Sequence, residues 1–420
     1  MTRTATSLRD VSLASYVGSA IEFYDFFIYG TAAALVFPAV FFPHLSQLTA
    51  TIASLGTFAA AFLSRPLGAV VFGHFGDRIG RKRVLVLTLL IMGAATVGVG
   101  LIPSTAEIGL AAPLLLILLR LAQGFAVGGE WAGSVLLGSE YAPAGRRGYY
   151  GMFTQLGLGT ALVLANLVFL LVHVTIGDTS TAFLTWGWRL PFLLSAVLVA
   201  TAMYIRMHIE ETPEFSAEAD RDRKDDSGLP IAALVRAQSR EVLLAGGTVT
   251  GVLMLVYQVG TFFTHYASVH LHYSKDVILS AGVLGGVCAI ACVATSAVLS
   301  DRYGPRRFIV LGLALAVPWS LLLLPLIDTK RPVVLTAAIA VTYAIIGIAM
   351  GPLASYLPSI FATRYRYTGT ALSYNIGGIL GGALPPVISP VLLSSFGSWA
   401  VGAMMGCLAV VSLISVLLLD

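Results

Sequence analysis

The chain has 420 residues, of which 57% are hydrophobic and only 11% are charged, whereas soluble proteins carry about 25% charged residues. The high apolar content excludes a disordered chain, and three cysteines are too few for a disulfide scaffold. A net charge of +4 is too small to indicate a nucleic-acid-binding protein. The composition therefore indicates a polytopic membrane protein.

Twelve apolar segments are each long enough to cross a bilayer, for which an α-helix needs about 20 residues. They lie near residues 12–40, 48–73, 84–102, 111–138, 149–173, 187–207, 241–267, 278–299, 308–327, 332–357, 369–393 and 398–419. Strands of a membrane β-barrel would be about ten residues long, with alternating polarity. We therefore predict an all-α membrane protein with twelve transmembrane helices. We expect the first segment to be retained, because it is too long for a removable signal peptide.

Lysine and arginine residues are divided unevenly between the two sets of loops. With the N-terminus in the cytoplasm, 19 of the 25 lie in cytoplasmic segments and 3 lie in outer loops. The other three, Arg65, Arg120 and Arg189, lie inside or at the edge of spans. The positive-inside rule therefore predicts that both termini are cytoplasmic.

A charged loop sequence occurs twice in the chain. The segment from Asp77 to Arg83 follows the second span, and a related segment from Asp301 to Arg307 follows the eighth span, 224 residues later. We therefore predict two pseudo-symmetric six-helix halves, residues 1–207 and 241–420, joined by a polar cytoplasmic linker, residues 208–240. This is the plan of a secondary transporter whose site lies between the halves.

The segment 73–83, Gly-His-Phe-Gly-Asp-Arg-Ile-Gly-Arg-Lys-Arg, resembles the loop signature of the major facilitator superfamily. Other matching motifs occupy residues 18–29, 65–68, 120–124, 128–131, 186–192 and 210–215. Together they resemble the metabolite:proton symporter family, whose members carry shikimate, 2-oxoglutarate, citrate, proline or betaine. The resemblance implies that the two charged loops gate a conformational change, with these gate residues: Asp77, Arg78, Arg81, Asp301 and Arg302.

Six ionisable residues fall within or at the edge of the spans: Glu22, Asp25, Arg65, Arg120, Glu130 and Arg189. A charged side chain at the centre of a membrane helix costs at least about 2.5–3.5 kcal/mol, so each one is a functional-site hypothesis. The alternative is that the three acids and three bases pair with one another and hold the helices together.

Glu22, Asp25 and Tyr29 are spaced i, i+3, i+7 and therefore share one face of the first helix. Two carboxylates one turn apart repel each other, which favours a proton on one of them unless an arginine faces the pair. With the family resemblance, this pattern predicts that Asp25 and Glu22 couple transport to protons. A structural ion pair is the alternative, and we expect Tyr29 to contact the substrate.

We predict that Arg65 and Arg189 bind the substrate, because a guanidinium stays charged and binds a carboxylate through two hydrogen bonds. The alternative for Arg65 is a salt bridge to Asp25 or Glu22. The alternative for Arg189 is a position at the membrane interface beside Trp186 and Trp188.

The fourth span carries a polar stripe formed by Arg120, Gln123 and Glu130. We predict that Gln123 contacts the substrate and that Glu130 takes part in proton coupling. The stripe could instead join neighbouring helices, and Glu130 could bridge to Arg146 or Arg147.

The second half lacks comparable buried charges and offers neutral polar side chains instead. We predict that they recognise the shape of the substrate: Tyr257, Gln258, Tyr374 and Asn375. His265 shares a helix face with Tyr257, but a lone histidine more often bonds to a neighbouring backbone group.

These features predict a transporter that imports a small carboxylate, such as a di- or tricarboxylate, 2-oxoglutarate or shikimate, together with protons. The alternatives are an antiporter or exporter of the same superfamily, uptake of proline or betaine, a membrane sensor and a channel. No coiled-coil tail follows the last span, which makes an osmolyte carrier less expected.

We expect a monomer in the cell membrane whose partners are lipid, substrate and protons. We expect no nucleic acid, cofactor, metal or enzymatic activity, since no phosphate-binding loop, ligand cluster or catalytic grouping is present.

Overall fold

The computed structural model describes residues 8–79, 81–140, 142–143, 145–177, 181–208 and 230–419. The helices of the first half are α1 (Leu8–Leu35), α2 (Phe37–Phe41), α3 (Gln47–Ile79), α4 (Arg81–Leu101), α5 (Thr105–Ile108), α6 (Ala111–Val127), α7 (Glu130–Glu140), α8 (Arg147–Ile176), α9 (Thr181–Thr185) and α10 (Leu190–His208). Those of the second half are α11 (Pro230–Tyr257), α12 (Lys275–Tyr303), α13 (Pro305–Ile327), α14 (Pro332–Met350), α15 (Leu353–Tyr356), α16 (Arg366–Gly377), α17 (Leu384–Phe396) and α18 (Ser398–Leu418).

Eleven segments of the described residues are long and apolar enough to cross a membrane. The twelfth span is α1, which has 28 residues, carries Glu22 and Asp25 in its middle and packs against α8, α10 and α3. The prediction of twelve membrane helices is therefore confirmed.

Two six-helix bundles are formed by these spans. In the first, α1 packs against α8 and α10, and α6 packs against α3 and α4. In the second, α11 packs against α16 and α18, and α14 packs against α12 and α13. The bundles meet where α8 lies along α12 and where α1 and α3 contact second-half segments. We call the end at which α1 begins the near end, and the end at which α1 finishes the far end.

The polarity of α3 is reversed relative to a helix of a soluble protein. Leu63 and Leu67 are 61% and 65% exposed, whereas Arg65 between them is 2% exposed. A helix whose outer face contacts lipid needs apolar groups outside, and it can hold a charge only towards the bundle interior.

Glycines interrupt the fourth span, which the sequence predicted as one helix. It consists of α6 and α7, separated by Gly128 and Gly129. A Cβ atom on Gly128 would lie 2.0 Å from the carbonyl oxygen of Arg65, so α3 and the α6–α7 junction touch through their backbones. Only glycine permits this approach.

The seventh span begins earlier than predicted. Residues 209–229 of the predicted linker, 208–240, lie outside the described residues, whereas residues 230–240 belong to α11, which is kinked at Gln238. The same span continues beyond α11 as π-helix at Gln258–Phe263 and Tyr266–His270, and another π-helical segment, Gly378–Ala383, joins α16 to α17. π-Helical turns are frequent at functional sites.

Candidate functional site

Glu22 on α1 and Arg65 on α3 form an ion pair inside the bundle. Arg65 Nη2 lies 3.7 Å from Glu22 Oε1, and each side chain is 2% exposed. A close charge-assisted hydrogen bond would measure about 2.7–2.9 Å. The pair is therefore in electrostatic contact, but it is not tightly bonded.

The guanidinium of Arg120 on α6 shares an aromatic neighbour with that of Arg65. The Cζ atoms of Arg65 and Arg120 lie 4.3 Å and 4.2 Å from the centroid of the Phe26 ring. Arg65 also lies 4.7 Å from the ring centre of Phe62, and Arg120 lies 4.1 Å from that of Tyr29. Desolvated cation–π contacts contribute about 2 kcal/mol each, so these rings help to stabilise two buried positive charges.

Both guanidinium groups keep N–H groups that have no hydrogen-bond partner. Among the described residues, this holds for Nε and Nη2 of Arg65 and for Nε and Nη2 of Arg120. An unpaired buried donor costs about 1–3 kcal/mol, and a charged donor costs more. The two groups can therefore bind further acceptor atoms, and a carboxylate matches the guanidinium geometry best.

The Arg65 guanidinium lies at the boundary between the two halves. A Cβ atom on Gly378, in the π-helical segment of the second half, would lie 3.9 Å from Arg65 Nη1. The Tyr257 ring packs 5.1 Å from that of Phe62, and its phenol interacts electrostatically with Arg65. Movement of one half against the other would therefore change the surroundings of Arg65.

Asp25 is completely buried and is held by hydroxyl groups. Ser195 Oγ donates to Oδ1 at 2.8 Å, and Thr96 Oγ1 donates to Oδ2 at 2.6 Å. Gln123 Nε2 donates to Thr96 Oγ1, and Arg120 Nη1 donates to Gln123 Oε1 at 2.6 Å. A continuous row of hydrogen bonds therefore connects Arg120 to Asp25 and links α6, α4, α1 and α10.

Glu130 and Tyr29 are buried next to this network. Glu130, 2% exposed, begins α7 and lies within electrostatic range of Asp25. Arg146 and Arg147, its alternative partners in the sequence, are exposed. The Tyr29 hydroxyl donates to Thr57 Oγ1 at 2.8 Å, so its ring rather than its hydroxyl faces Arg120.

Contacts between the two halves lie on the near side of the site. The Trp131 ring stacks on that of Tyr374, with the ring centres 3.7 Å apart and an angle of 11°. Asn375 Nδ2 donates to the carbonyl oxygen of Gly128 at 3.1 Å. Gln258, deeper in the bundle, donates through Nε2 to Ser389 Oγ.

Asp301 forms a second near-end contact between the halves. Its carboxylate accepts hydrogen bonds from the backbone N–H groups of Gly148 at 2.6 Å and Tyr149 at 2.9 Å, in the first turn of α8. Arg302 lies 5.3 Å from the ring centre of its neighbour Tyr303. The side chains of the other predicted gate residues lie outside the described part of the structure: Asp77, Arg78 and Arg81.

Contacts between the two halves also lie on the far side of the site. His265 bonds through Nδ1 to the carbonyl oxygen of Ala34 at 3.0 Å and through Nε2 to Thr51 Oγ1 at 3.3 Å. A Cβ atom on Gly30 would lie 2.6 Å from Thr261 Cγ2, so α1 touches the second half directly. Among the described residues, contacts between the two halves are therefore present on both sides of the arginine cluster.

A small cavity lies on the far side of the site. It has a volume of about 20 Å³, and its lining includes Thr31, Asn166 and Tyr343. A single water needs a cavity volume of about 10–15 Å³, so the space accommodates one water or one hydroxyl group.

Arg189 lies apart from the other predicted substrate-binding residues. Its Nη1 donates to the carbonyl oxygens of Gly100 at 2.8 Å and Ile102 at 2.7 Å, and its Nε donates to that of Thr185 at 2.8 Å. Its Cζ lies 4.7 Å from the ring centre of Trp188. This arrangement matches the interfacial alternative, since backbone carbonyls already use these donors.

Sequence patterns did not predict Thr96, Ser195 or Phe26 as parts of the site. Threonine and serine are common in apolar helices, and nothing in α4 or α10 marks which hydroxyl will face Asp25. Phe26 belongs to the motif at residues 18–29 of the first span, but only the packing of α3 and α6 brings both guanidinium groups to its ring.

The sequence profile described as Major Facilitator Superfamily matches residues 18–382. The chain belongs to the major facilitator superfamily. It is 40% identical to the inner membrane metabolite transport protein YhjE of Escherichia coli, over 98% of this chain and 94% of that protein. It is 35% identical to the Escherichia coli shikimate transporter, over 97% and 94% of the two chains.

The fold agrees with that of solved members of the superfamily. The crystal structure of a D-xylose–proton symporter superimposes with a TM-score of 0.76 at 18% identity, covering 98% of this chain and 97% of that one. The similarity at this identity concerns the fold alone. Membership of the superfamily makes the chain a multi-pass membrane transporter and not an enzyme.

The Asp25 network makes a prediction about stability. Thr96→Val keeps the side-chain shape but removes a donor to a buried carboxylate, so we expect a loss of about 1–3 kcal/mol. The apparent melting temperature of the purified protein measures this. The control is Thr88→Val on the same helix, because the bond that Thr88 Oγ1 makes among the described residues goes to the carbonyl oxygen of Leu85, one turn earlier in α4. Equal melting temperatures for both variants would contradict the role of Thr96.

Proposed function

We propose that the protein imports a small organic anion with a carboxylate group, together with protons, by alternating access. The observation that carries this proposal is the pair of buried guanidinium groups, Arg65 and Arg120, whose N–H groups are only partly bonded. Arg65 lies at the boundary between the two halves, where a substrate has to bind if access is to alternate. Arg120 shares the Phe26 ring with it.

The balance of buried charge supports coupling to protons. Among the described residues, the buried charged groups are Glu22, Asp25, Glu130, Arg65 and Arg120. Arginine keeps its charge, so the cluster carries −1 when all three acids are ionised. Adding an anionic substrate increases this negative charge in a medium that stabilises it poorly, unless a proton enters as well.

Competition for Arg65 physically links binding of the substrate anion to uptake of the proton. Glu22 holds Arg65 at 3.7 Å, so a substrate carboxylate can displace it and form two direct hydrogen bonds. Displaced from its cation, Glu22 is stabilised in the protonated form. Binding of the anion and uptake of the proton therefore favour each other. Asp25, held by Thr96 and Ser195, fixes Arg120 through Gln123.

Alternating access requires the contacts between the halves at the near end and at the far end to open in turn. Opening the near end separates Trp131 from Tyr374 and Asn375 from Gly128, whereas opening the far end separates His265 from Ala34. Tyr257 and Gln258 lie between these two sets of contacts, where they would contact the remainder of the substrate. On the distribution of basic residues, we assign the near end to the cytoplasm.

An osmolyte such as betaine fits this site less well. Quaternary ammonium groups bind inside cages of aromatic rings. The rings of Phe26, Phe62 and Tyr29 already cover the guanidinium groups of Arg65 and Arg120. An exporter of the same superfamily would use the same site, so the direction of the driving gradient separates it from an importer.

Uptake into proteoliposomes tests the proposal. We expect a radiolabelled carboxylate, screened among shikimate, 2-oxoglutarate and citrate, to accumulate when the outside is acidic. Dissipating the pH gradient with a protonophore should abolish accumulation. Uptake that ignores the gradient for every bound carboxylate would exclude symport.

Arg65→Gln should weaken carboxylate binding by about 10- to 100-fold, because a hydrogen bond to a charged group contributes about 1.5–3 kcal/mol. Titration calorimetry of the purified variant measures the affinity. Arg331→Gln, which removes an exposed positive charge, is the control. Unchanged affinity in the Arg65 variant would remove this residue from the site.

Glu22→Gln should make carboxylate binding independent of pH. In the wild type, binding takes up a proton, so the affinity should fall as the pH rises. Glutamine cannot ionise or hold Arg65 as a counterion, so the variant should bind more tightly at high pH. The affinity is measured between about pH 5 and pH 8, which lies above the ordinary titration range of a glutamate near pH 4.

The control for Glu22→Gln is Glu107→Gln in the far-end loop. Hydrogen bonds from Ser104 lower the pKa of Glu107, so this group stays ionised in the tested range. The variant should retain the wild-type pH dependence. An unchanged pH dependence in Glu22→Gln would show that Glu22 does not carry the coupled proton.

A further inference from the structure

The near-end half of α1 carries two buried hydroxyl groups in line with Glu22. Ser15 and Ser19 are 4% and 2% exposed. Their spacing to Glu22, i, i+4, i+7, places all three residues on one helix face. In the described part of the chain, neither serine Oγ has a hydrogen-bond partner.

Helix geometry does not explain these unpaired hydroxyls. A helical serine commonly donates to the carbonyl oxygen four residues earlier. Ser12, on the same helix and 6% exposed, does so, with its Oγ 2.8 Å from Leu8 O. Since a buried unpaired hydroxyl costs about 1–3 kcal/mol, Ser15 and Ser19 are exceptions that need another reason.

A third hydroxyl lies on the neighbouring helix α8. The two helices touch at Gly157, where a Cβ atom would lie 2.8 Å from Ser19 Cβ and 2.7 Å from Ala20 N. Thr154 precedes Gly157 by one turn towards the near end. It is 0% exposed, and its Oγ1 also lacks a partner among the described residues.

The axial spacing suits proton transfer. A helix rises 1.5 Å per residue, so Ser15 and Ser19 are about 6 Å apart along α1, and Ser19 and Glu22 about 4.5 Å. One water with two hydrogen bonds of about 2.8 Å bridges such a gap. A hydroxyl both donates and accepts, so each position can receive one proton and pass on another.

We infer that Ser19 and Ser15, with Thr154, form the route by which Glu22 exchanges its proton with the near end of the bundle. The proton leaves the Glu22 carboxyl for the oxygen of a bridging water. That water passes a different proton to the next hydroxyl, and the transfer is repeated until a proton reaches the near end. Glu22 is left ionised, and every hydroxyl and water is regenerated. The route rests on the proposed function, in which Glu22 carries the coupled proton.

Separate substitutions of the two serines test the route. Ser19→Ala and Ser15→Ala should each slow substrate-driven proton movement by about 100-fold, the lower end of what a positioned proton-transfer group contributes. A pH-sensitive dye enclosed in proteoliposomes records that movement. Carboxylate affinity and substrate exchange without net proton flux should stay at wild-type values. Ser12→Ala, which loses only a bond to its own helix, should behave as the wild type.

Three results would overturn the inference. Wild-type proton rates in both variants would show that the hydroxyls carry no proton. A fall in affinity that matches the fall in proton rate would make the serines substrate contacts. A fall in substrate exchange as large as the fall in proton rate would indicate a structural role for the serines. If instead the wild type shows no proton-driven uptake, the proposed function fails and the route fails with it.

Discussion

Two permanently charged guanidinium groups, held where water is excluded, govern the rest of this structure. Arg65 and Arg120 remain in the bundle because Phe26, Glu22 and Gln123 supply part of the stabilisation that water would give. The stabilisation is incomplete, since N–H groups of both remain unbonded. These unbonded N–H groups are the basis of the proposal that the site binds an anion and releases it again.

Residues of the site also take part in the near-end contacts between the halves. This gives a physical basis for coupling between substrate binding and separation of the halves at that end. Tyr374 stacks on Trp131 at the near end, and it also lies within electrostatic range of Arg65 and Glu22. The backbone of Gly128, which touches Arg65, accepts the hydrogen bond of Asn375. A change in the charge around Arg65 therefore acts directly on groups that join the two halves at the near end.

Departures from regular helix concentrate around the site. The break at Gly128 and Gly129, the π-helical segment Gln258–Phe263 and the segment Gly378–Ala383 lie on spans that carry or contact the arginine cluster. A Cβ atom on Gly382 would lie 2.7 Å from Phe62 and 2.8 Å from Tyr257. The backbone is thereby brought close to aromatic side chains that a regular helix with larger residues would keep apart.

Apolar segment lengths, the repeated charged loop and the family motifs were sufficient to predict the twelve helices and the superfamily, because spanning a bilayer is a local requirement of composition. They also located Glu22, Asp25, Arg65 and Arg120, since any charge inside an apolar span stands out. Only the tertiary structure decided that Glu22 faces Arg65, that Asp25 meets Thr96 and Ser195, and that Arg189 bonds to backbone carbonyls away from the cluster. Those partners depend on the register and rotation of helices distant in sequence. Packing across many contacts sets that register, and no single segment encodes it.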